Sequence, residues 1–163
     1  MATSLAAPAA SPNPTRSLAS PAAPLGQAPL TQDGEYQPGV CNIGAWEIRR
    51  RRRSAIVGFV FSAVVLAALV VAGVPAVARL LVVFPLWGSF VSWLQARRQF
   101  CVGFAVARMS NFADDEAGRA QVDSEAAHRA DMRTVRRMVI DGFLIAAPIT
   151  LVVVGVLQVV RPA

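Results

Sequence analysis

The run SAIVGFVFSAVVLAALVVA, residues 54–72, decides the fold because none of its nineteen side chains is charged. A helix rises about 1.5 Å per residue, so this run would be roughly 28 Å long and would match the ~30 Å hydrocarbon core of a bilayer. Gly73-Val74-Pro75 follows the run and predicts the end of the helix, because glycine suits a helix end and proline cannot continue it. We therefore expect a first transmembrane helix over residues 54–72.

Two further apolar runs, 76–95 and 138–160, predict two more transmembrane helices. One continuous helix over residues 54–95 would be about 63 Å long, twice the bilayer thickness, so we expect the first two runs to form an antiparallel hairpin. Pro148 lies near the middle of the third run and predicts a kink. The expected fold class is an all-α membrane protein with three transmembrane helices, a short interfacial N-terminal helix, a cytoplasmic loop helix and a disordered N-terminal tail.

The composition of the whole chain also favours a membrane protein. Hydrophobic residues make up 55% and charged residues 16% of the 163 residues, whereas an average soluble domain carries about 25% charge. All 16 basic residues are arginine, and the formal net charge is +6. Because most arginines flank the apolar runs, we interpret them as an orientation signal that also attracts anionic lipid headgroups. We expect no nucleic-acid partner.

The segments outside the apolar runs complete the domain organisation. Residues 1–40 contain seven prolines and few large apolar side chains, which predicts a disordered Ala/Pro-rich tail. This tail is either a plain cytoplasmic extension or a peptide ligand for a partner. Residues 41–112 are expected to combine an interfacial helix, with Asn42 as its cap, and the transmembrane hairpin. Residues 113–137 are expected to form a charged cytoplasmic loop and helix that continues into the third span, 138–160.

The arginines predict the orientation. Five of them, Arg49 to Arg53, precede the first span, and eight lie in the loop 96–137. The first turn has only Arg79, and the segment after the third span only Arg161. Cytoplasmic loops carry the excess of basic residues, so we expect a multi-pass protein of the bacterial plasma membrane with its N-terminus inside and its C-terminus outside.

Cys41 and Cys101 form the candidate thiol pair. Because a hairpin returns the chain to the side it left, both thiols are expected near the cytoplasmic face. They are two reduced cysteines that pack, a redox dithiol with a thiol pKa lowered by nearby arginines, or part of a soft-metal site. A zinc site normally needs four ligands, and His128 is the one obvious further nitrogen. We predict no catalytic, cofactor-binding or metal-binding residue beyond this pair.

Charged and small residues in the spans have structural interpretations. Arg79 is expected to extend its guanidinium to the outer surface, and Asp141 to pair with Arg137 one turn away. Gly88 and Ser92 are four residues apart, a spacing that favours a close helix contact.

The hairpin region 41–112 resembles uncharacterised bacterial multi-span membrane proteins. The resemblance rests on Cys41-Asn42-Ile43-Gly44, on the basic run after Glu47-Ile48, and on Leu94-Gln95 and Phe100-Cys101. It is similar, more loosely, to the rhodanese-associated inner-membrane hairpin family, whose domains open with Asn-x-Gly and close with a cysteine after the second span. The family's closing motif usually reads Cys-Pro, whereas Val102 follows here, and the sequence contains no rhodanese domain. The resemblance implies a membrane hairpin with a cytoplasmic thiol.

The leading functional hypothesis is a non-enzymatic accessory or scaffold protein of the plasma membrane. Its expected partners are the lipid bilayer with its anionic headgroups and either another protein or a second copy of the chain. We expect no cofactor. The alternative is a thiol-dependent module that handles sulfur, redox equivalents or a soft metal through Cys41 and Cys101. A third class, a small transporter or channel, would require oligomerisation to line a path.

Overall fold

The computed structural model describes residues 36–114 and 118–160, so the predicted tail is described only from Tyr36 onward. The elements, in chain order, are α1 (Ala45–Val71), α2 (Ala76–Arg79), a 3-10 turn (Leu80–Val82), α3 (Val83–Arg97), α4 (Val102–Val106), β1 (Met109–Asn111), β2 (Arg119–Gln121) and α5 (Glu125–Val160). The two strands pair antiparallel, with Ser110 opposite Ala120.

Among the described residues, three helical segments are long and apolar enough to cross a membrane. They are Ala45–Val71, Ala76–Arg97 and Glu125–Val160. This confirms the all-α, three-span fold class. The predicted runs 76–95 and 138–160 lie inside two of these segments, and the run 54–72 extends one residue beyond Val71. Large apolar side chains such as Val57 and Phe61 are exposed on the helix surfaces, as expected where the surroundings are lipid rather than water.

Helix α3 is the central helix, because it packs against both α1 and α5. Gly58 of α1 lies directly against Ser89, and a β-carbon at Gly58 would collide with that hydroxyl. Gly142 of α5 lies equally close to α3, since a β-carbon there would be 2.7 Å from Val91 Cγ2. Small residues therefore let the three backbones approach closely.

The close contact on α3 lies one residue away from the predicted one. Gly88 is exposed, and a β-carbon added there would meet nothing within 4 Å. Ser89 makes the contact with α1 instead, so the predicted contact is wrong at Gly88. Successive side chains of a helix point about 100° apart. Gly88 and Ser89 are both small and adjacent, so the small size of a residue does not show which of the two faces the partner helix.

The hairpin turn is closed by Arg79. Gly73 takes a positive φ of 65°, and the amides of residues 72–74 bond to carbonyls in the last turn of α1. Arg79 is 3% exposed, and its Nε donates a 2.7 Å hydrogen bond to the Val74 carbonyl. The expectation that Arg79 extends to the outer surface is therefore wrong. The cation stays at the C-terminal end of α1, where the helix dipole favours positive charge.

Helix α5 is continuous over 36 residues, about 54 Å, and so extends well beyond a ~30 Å hydrocarbon core. The prediction that the loop helix continues into the third span is confirmed. The helix begins at Glu125, where Ser124 Oγ accepts a 3.3 Å hydrogen bond from the Ala127 amide. Pro148 lies inside the helix without ending it. We name residues 125–137 the α5 extension.

Candidate functional site

Asn42, a buried residue at the arginine-rich end, is 0% exposed. Its Nδ2 donates to the Cys101 carbonyl at 3.0 Å, and its Oδ1 accepts from the Cys101 amide at 2.6 Å. Its own amide donates to the Gln99 carbonyl at 3.2 Å. Asn42 therefore fixes the chain that precedes α1 to the chain that follows α3. It does not cap α1, because the cap position belongs to Gly44.

A third segment joins the same structure through Asn111, at the end of β1. The Asn111 amide donates to the Asn42 carbonyl at 3.0 Å, and the Gly44 amide donates to the Asn111 carbonyl at 2.7 Å. Asn111 is as fully buried as Asn42. A β-carbon on Gly44 would lie 2.8 Å from the Phe112 carbonyl oxygen, so only glycine allows this approach. We call the assembly of residues 36–44, 99–112 and the α5 extension the base.

Apolar side chains complete the interior of the base. Ile43, Cys101 and Phe104 form a buried cluster, and Ile48 and Met109 pack against it. Within the segment Asn42-Ile43-Gly44, the asparagine bonds to a distant backbone, the isoleucine fills the core, and the glycine permits a close backbone contact. The sequence motif that resembled a membrane-hairpin family is explained here by packing.

Cys41 and Cys101 are both buried, and neither forms a disulfide. Because Asn42 bonds to the backbone of Cys101, the residue next to Cys41 lies against the second cysteine. Burial raises the pKa of the Cys41 thiol, and a backbone hydrogen bond from Gln37 lowers it by less. The expectation of a thiol pKa lowered by arginines is therefore not met at Cys41. A higher pKa leaves a smaller thiolate fraction at neutral pH, and the thiolate is the nucleophile and the metal ligand.

Asp131 anchors the segment that precedes Cys41 to the α5 extension. Its carboxylate is 1% exposed and accepts hydrogen bonds from the Tyr36 hydroxyl at 2.9 Å and from the Gly39 amide at 2.6 Å. Thr134 Oγ1 donates to the Gly39 carbonyl at 2.7 Å. Burial, with Asp131 as its neighbour, raises the pKa of the Tyr36 hydroxyl. Residues 36–40, assigned to the tail from sequence, therefore belong to the base.

Glu47 is the only acidic residue between positions 36 and 113, and it is 1% exposed in the first turn of α1. Its two carboxylate oxygens lie 3.7 Å from the guanidinium groups of Arg50 and Arg51. Arg50 also lies over the Trp46 ring, 5.6 Å from its centroid. A helix N-terminus favours a carboxylate, and Glu47 lies there beside two members of the arginine run, while neither of its oxygens accepts a hydrogen bond within the described residues. Its isolation as a lone acid beside five arginines was the sequence signal for this arrangement.

Asp141 pairs across helices and not along its own helix. Its Oδ2 lies 2.7 Å from Arg98 Nη2 at the end of α3. The predicted pair with Arg137 is therefore wrong, because the end of α3 packs on α5 and brings Arg98 to the carboxylate. Both side chains are about one third exposed, so the pair contributes little to stability.

The short β1–β2 hairpin and helix α4 were not predicted. Strands of three residues are too short to show an alternating pattern. Within residues 36–114 and 118–160, no group of three or more His, Cys, Asp or Glu side chains is placed to hold a metal ion. Arg108, which follows α4, pairs with Glu125 at 2.8 Å and connects this part of the base to the start of α5.

Comparison of the chain with protein-family models, with curated proteins and with solved structures finds no match. The likeness to the rhodanese-associated hairpin family therefore stays a prediction.

Proposed function

We propose that this protein is a non-enzymatic accessory or scaffold protein of the bacterial plasma membrane, with the base in the cytoplasm and the C-terminus outside. The observation that supports the proposal is the use of Asn42: both ends of its buried amide bond to the backbone of Cys101. The buried carboxylate of Asp131 likewise holds a chain segment in place, through the Gly39 amide and the Tyr36 hydroxyl. The result is a fixed platform at the membrane surface.

The orientation rests on the distribution of arginines. The run Arg49 to Arg53 and the arginines of the α5 extension lie at the same end of the bundle, because residues 36–44 bond to both α5 and the chain after α3. At the opposite end the hairpin turn has Arg79, which is buried. Basic residues beside the spans are most abundant on the cytoplasmic side. The base therefore faces the cytoplasm in this proposal.

The surface available to a protein partner is the outward face of the α5 extension. Four exposed arginines lie on it at helical spacing: Arg129, Arg133, Arg136 and Arg137. A partner with an acidic surface, or an acidic segment of a second copy, would be complementary to this face. Charge complementarity of this kind mainly directs encounter and partner choice.

Site-specific photo-crosslinking in intact cells tests the scaffold proposal. A photoreactive residue at position 129, on the α5 extension, is expected to give a discrete protein adduct. The matched control is position 156, which is exposed at the other end of the same helix and is expected to label lipid only. The double variant Cys41→Ala, Cys101→Ala removes both thiols without placing a hydroxyl in the buried cluster and should keep the adduct. Adducts that disappear in this double variant would favour the thiol-dependent alternative, and absence of any protein adduct along the extension would contradict a scaffold.

The thiol-dependent alternative is supported by one contact, the bond between Asn42 and Cys101, which brings Cys101 against the neighbour of Cys41. A disulfide requires Cα atoms within about 7 Å. Mild oxidation of the folded protein should therefore crosslink residues 41 and 101 if the pair acts as a dithiol. Independent alkylation of both thiols without a crosslink would remove this alternative.

A further inference from the structure

One face of α1 forms an open groove of about 820 Å³ at the arginine-rich end. Its lining residues are spaced by three or four positions, so they share one side of the helix; they include Trp46, Arg49, Arg50, Arg53, Val57 and Phe61. From the first to the last of these is a rise of about 22 Å along the helix axis. The groove therefore begins among cationic side chains and continues into the apolar part of the span.

The cationic end of the groove has charge that the described chain does not neutralise. Glu47 forms ion pairs with Arg50 and Arg51, whereas Arg49 and Arg53 are exposed and have no ion pair or hydrogen-bonded side-chain partner within the described residues. These two arginines are one helical turn apart, a spacing at which like charges repel. An anion between them would replace repulsion with two charge-assisted contacts, and guanidinium groups match the geometry of phosphate.

The other end of the groove suits a hydrocarbon chain. Val57 is 66% and Phe61 57% exposed, so their surfaces are not used by packing within the chain. Arg53 and Phe61 are eight residues apart, about 12 Å along the helix, which is within the ~15 Å depth of one leaflet. Trp46 lies at the arginine end, where indole rings are favoured at the membrane-water interface. A positive end above an apolar channel of this length is complementary to one amphiphile.

We propose that the groove is a binding site for a single anionic glycerophospholipid of the leaflet on the arginine-rich side. The phosphate lies between Arg49 and Arg53, and one acyl chain lies along Val57 and Phe61. Glu47 is a positioning residue, because it holds Arg50 beside Trp46 at the edge of the groove. The site does not depend on the scaffold function. It differs from a general attraction to charged membranes because it binds one lipid and saturates.

Native mass spectrometry of the full chain in neutral detergent tests the site, with phosphatidylglycerol and phosphatidylcholine of identical acyl chains as probes. We expect one retained phosphatidylglycerol, with phosphatidylcholine bound much more weakly. Each basic side chain near an anionic surface contributes about fivefold in affinity, so Arg49→Gln with Arg53→Gln is expected to weaken retention about thirtyfold. The matched control, Arg129→Gln with Arg133→Gln, removes the same charge from α5 and should change retention less than about twofold.

A second pair of variants tests the apolar part and does not depend on the arginines. Val57→Trp fills the groove and should abolish retention, whereas Val64→Trp changes a similarly exposed position of α1 outside the groove and should not. Equal retention of the two lipids, or equal loss in the groove and control variants, would overturn the proposal. Displacement of the lipid by inorganic phosphate at low concentration would identify a free-anion site instead. A dimer with the groove covered by a second copy, insensitive to added lipid, would also overturn it.

Discussion

Replacement of Asn42 by alanine should destabilise the protein more than any single change on the lipid-exposed surface. The substitution removes the acceptor of the Cys101 amide and one donor to the Cys101 carbonyl. The carbonyl keeps a partner, because the Ala105 amide donates to it at 3.1 Å. The amide is left buried without a partner, which costs about 1–3 kcal/mol. With the lost packing of a fully buried side chain, we expect a total loss of about 2–4 kcal/mol in the free energy of unfolding.

The measurement is reversible unfolding of the full chain in mixed micelles, with the mole fraction of denaturing detergent as the variable. Asn42→Asp keeps the acceptor and loses the donor, and it buries a charge, so it should be destabilised at neutral pH and partly recover as the carboxyl is protonated in acid. Gln121→Ala is the matched control, because Gln121 is exposed on β2, and it should change stability by less than about 0.5 kcal/mol. If Asn42→Ala is no more destabilised than this control, the role assigned to Asn42 is wrong.

The other predictions concern the base, the spans and the orientation. Gly44→Ala should prevent stable folding, because its β-carbon would lie 2.8 Å from the Phe112 carbonyl oxygen, whereas Gly88→Ala meets open space and should be neutral or slightly stabilising in the same unfolding assay. Tyr36 has a raised pKa in the folded state, so the wild type should lose stability as the pH rises above about 10, and Tyr36→Phe should flatten that loss in a pH series. A reporter active only in the periplasm should work when fused after Ala163, and activity of a cytoplasmic reporter there would contradict the three-span orientation.

The number of spans was predictable, because a membrane segment is determined by length and hydropathy within one continuous run. The contacts between the spans were not. Gly58, Ser89 and Gly142 make the close approaches, but alanine, glycine and serine occur on every face of these helices, so no local pattern marks the buried one. The prediction for Arg79 failed for a related reason. We expected the Arg79 guanidinium to extend to the surface because no hydrogen-bond acceptor was evident near it. The turn provides such an acceptor, the Val74 carbonyl.

The base was the least predictable part, because its bonds connect positions far apart in the sequence. Asn42 and Cys101 are 59 residues apart, and Tyr36 and Asp131 are 95 apart. From local sequence alone, asparagine before a helix indicates a cap, and a proline-rich approach indicates a tail. Both interpretations followed the local chemistry correctly, but the local sequence did not show the distant residues that these segments contact. The topology of a hairpin did place both cysteines at one end, but their burial and the raised pKa of Cys41 depend on neighbours that topology does not specify.

The spans pack mainly through apolar side chains and the base through buried polar bonds, and this difference has a physical consequence. Lipid chains are as apolar as the side chains they would replace, so little hydrophobic free energy favours one arrangement of transmembrane helices over another. A buried polar group without a partner, by contrast, is costly enough to select a single arrangement. In this protein Asn42, Asn111 and Asp131 are buried outside the apolar runs, and each bonds to a segment distant in the chain. Within the spans, Trp87 Nε1 donates a 2.9 Å hydrogen bond to the Val139 carbonyl, so polar bonds in the base and in the spans together specify how the helices are arranged. A partner or lipid that binds at the arginine-rich end would act where several of these bonds lie.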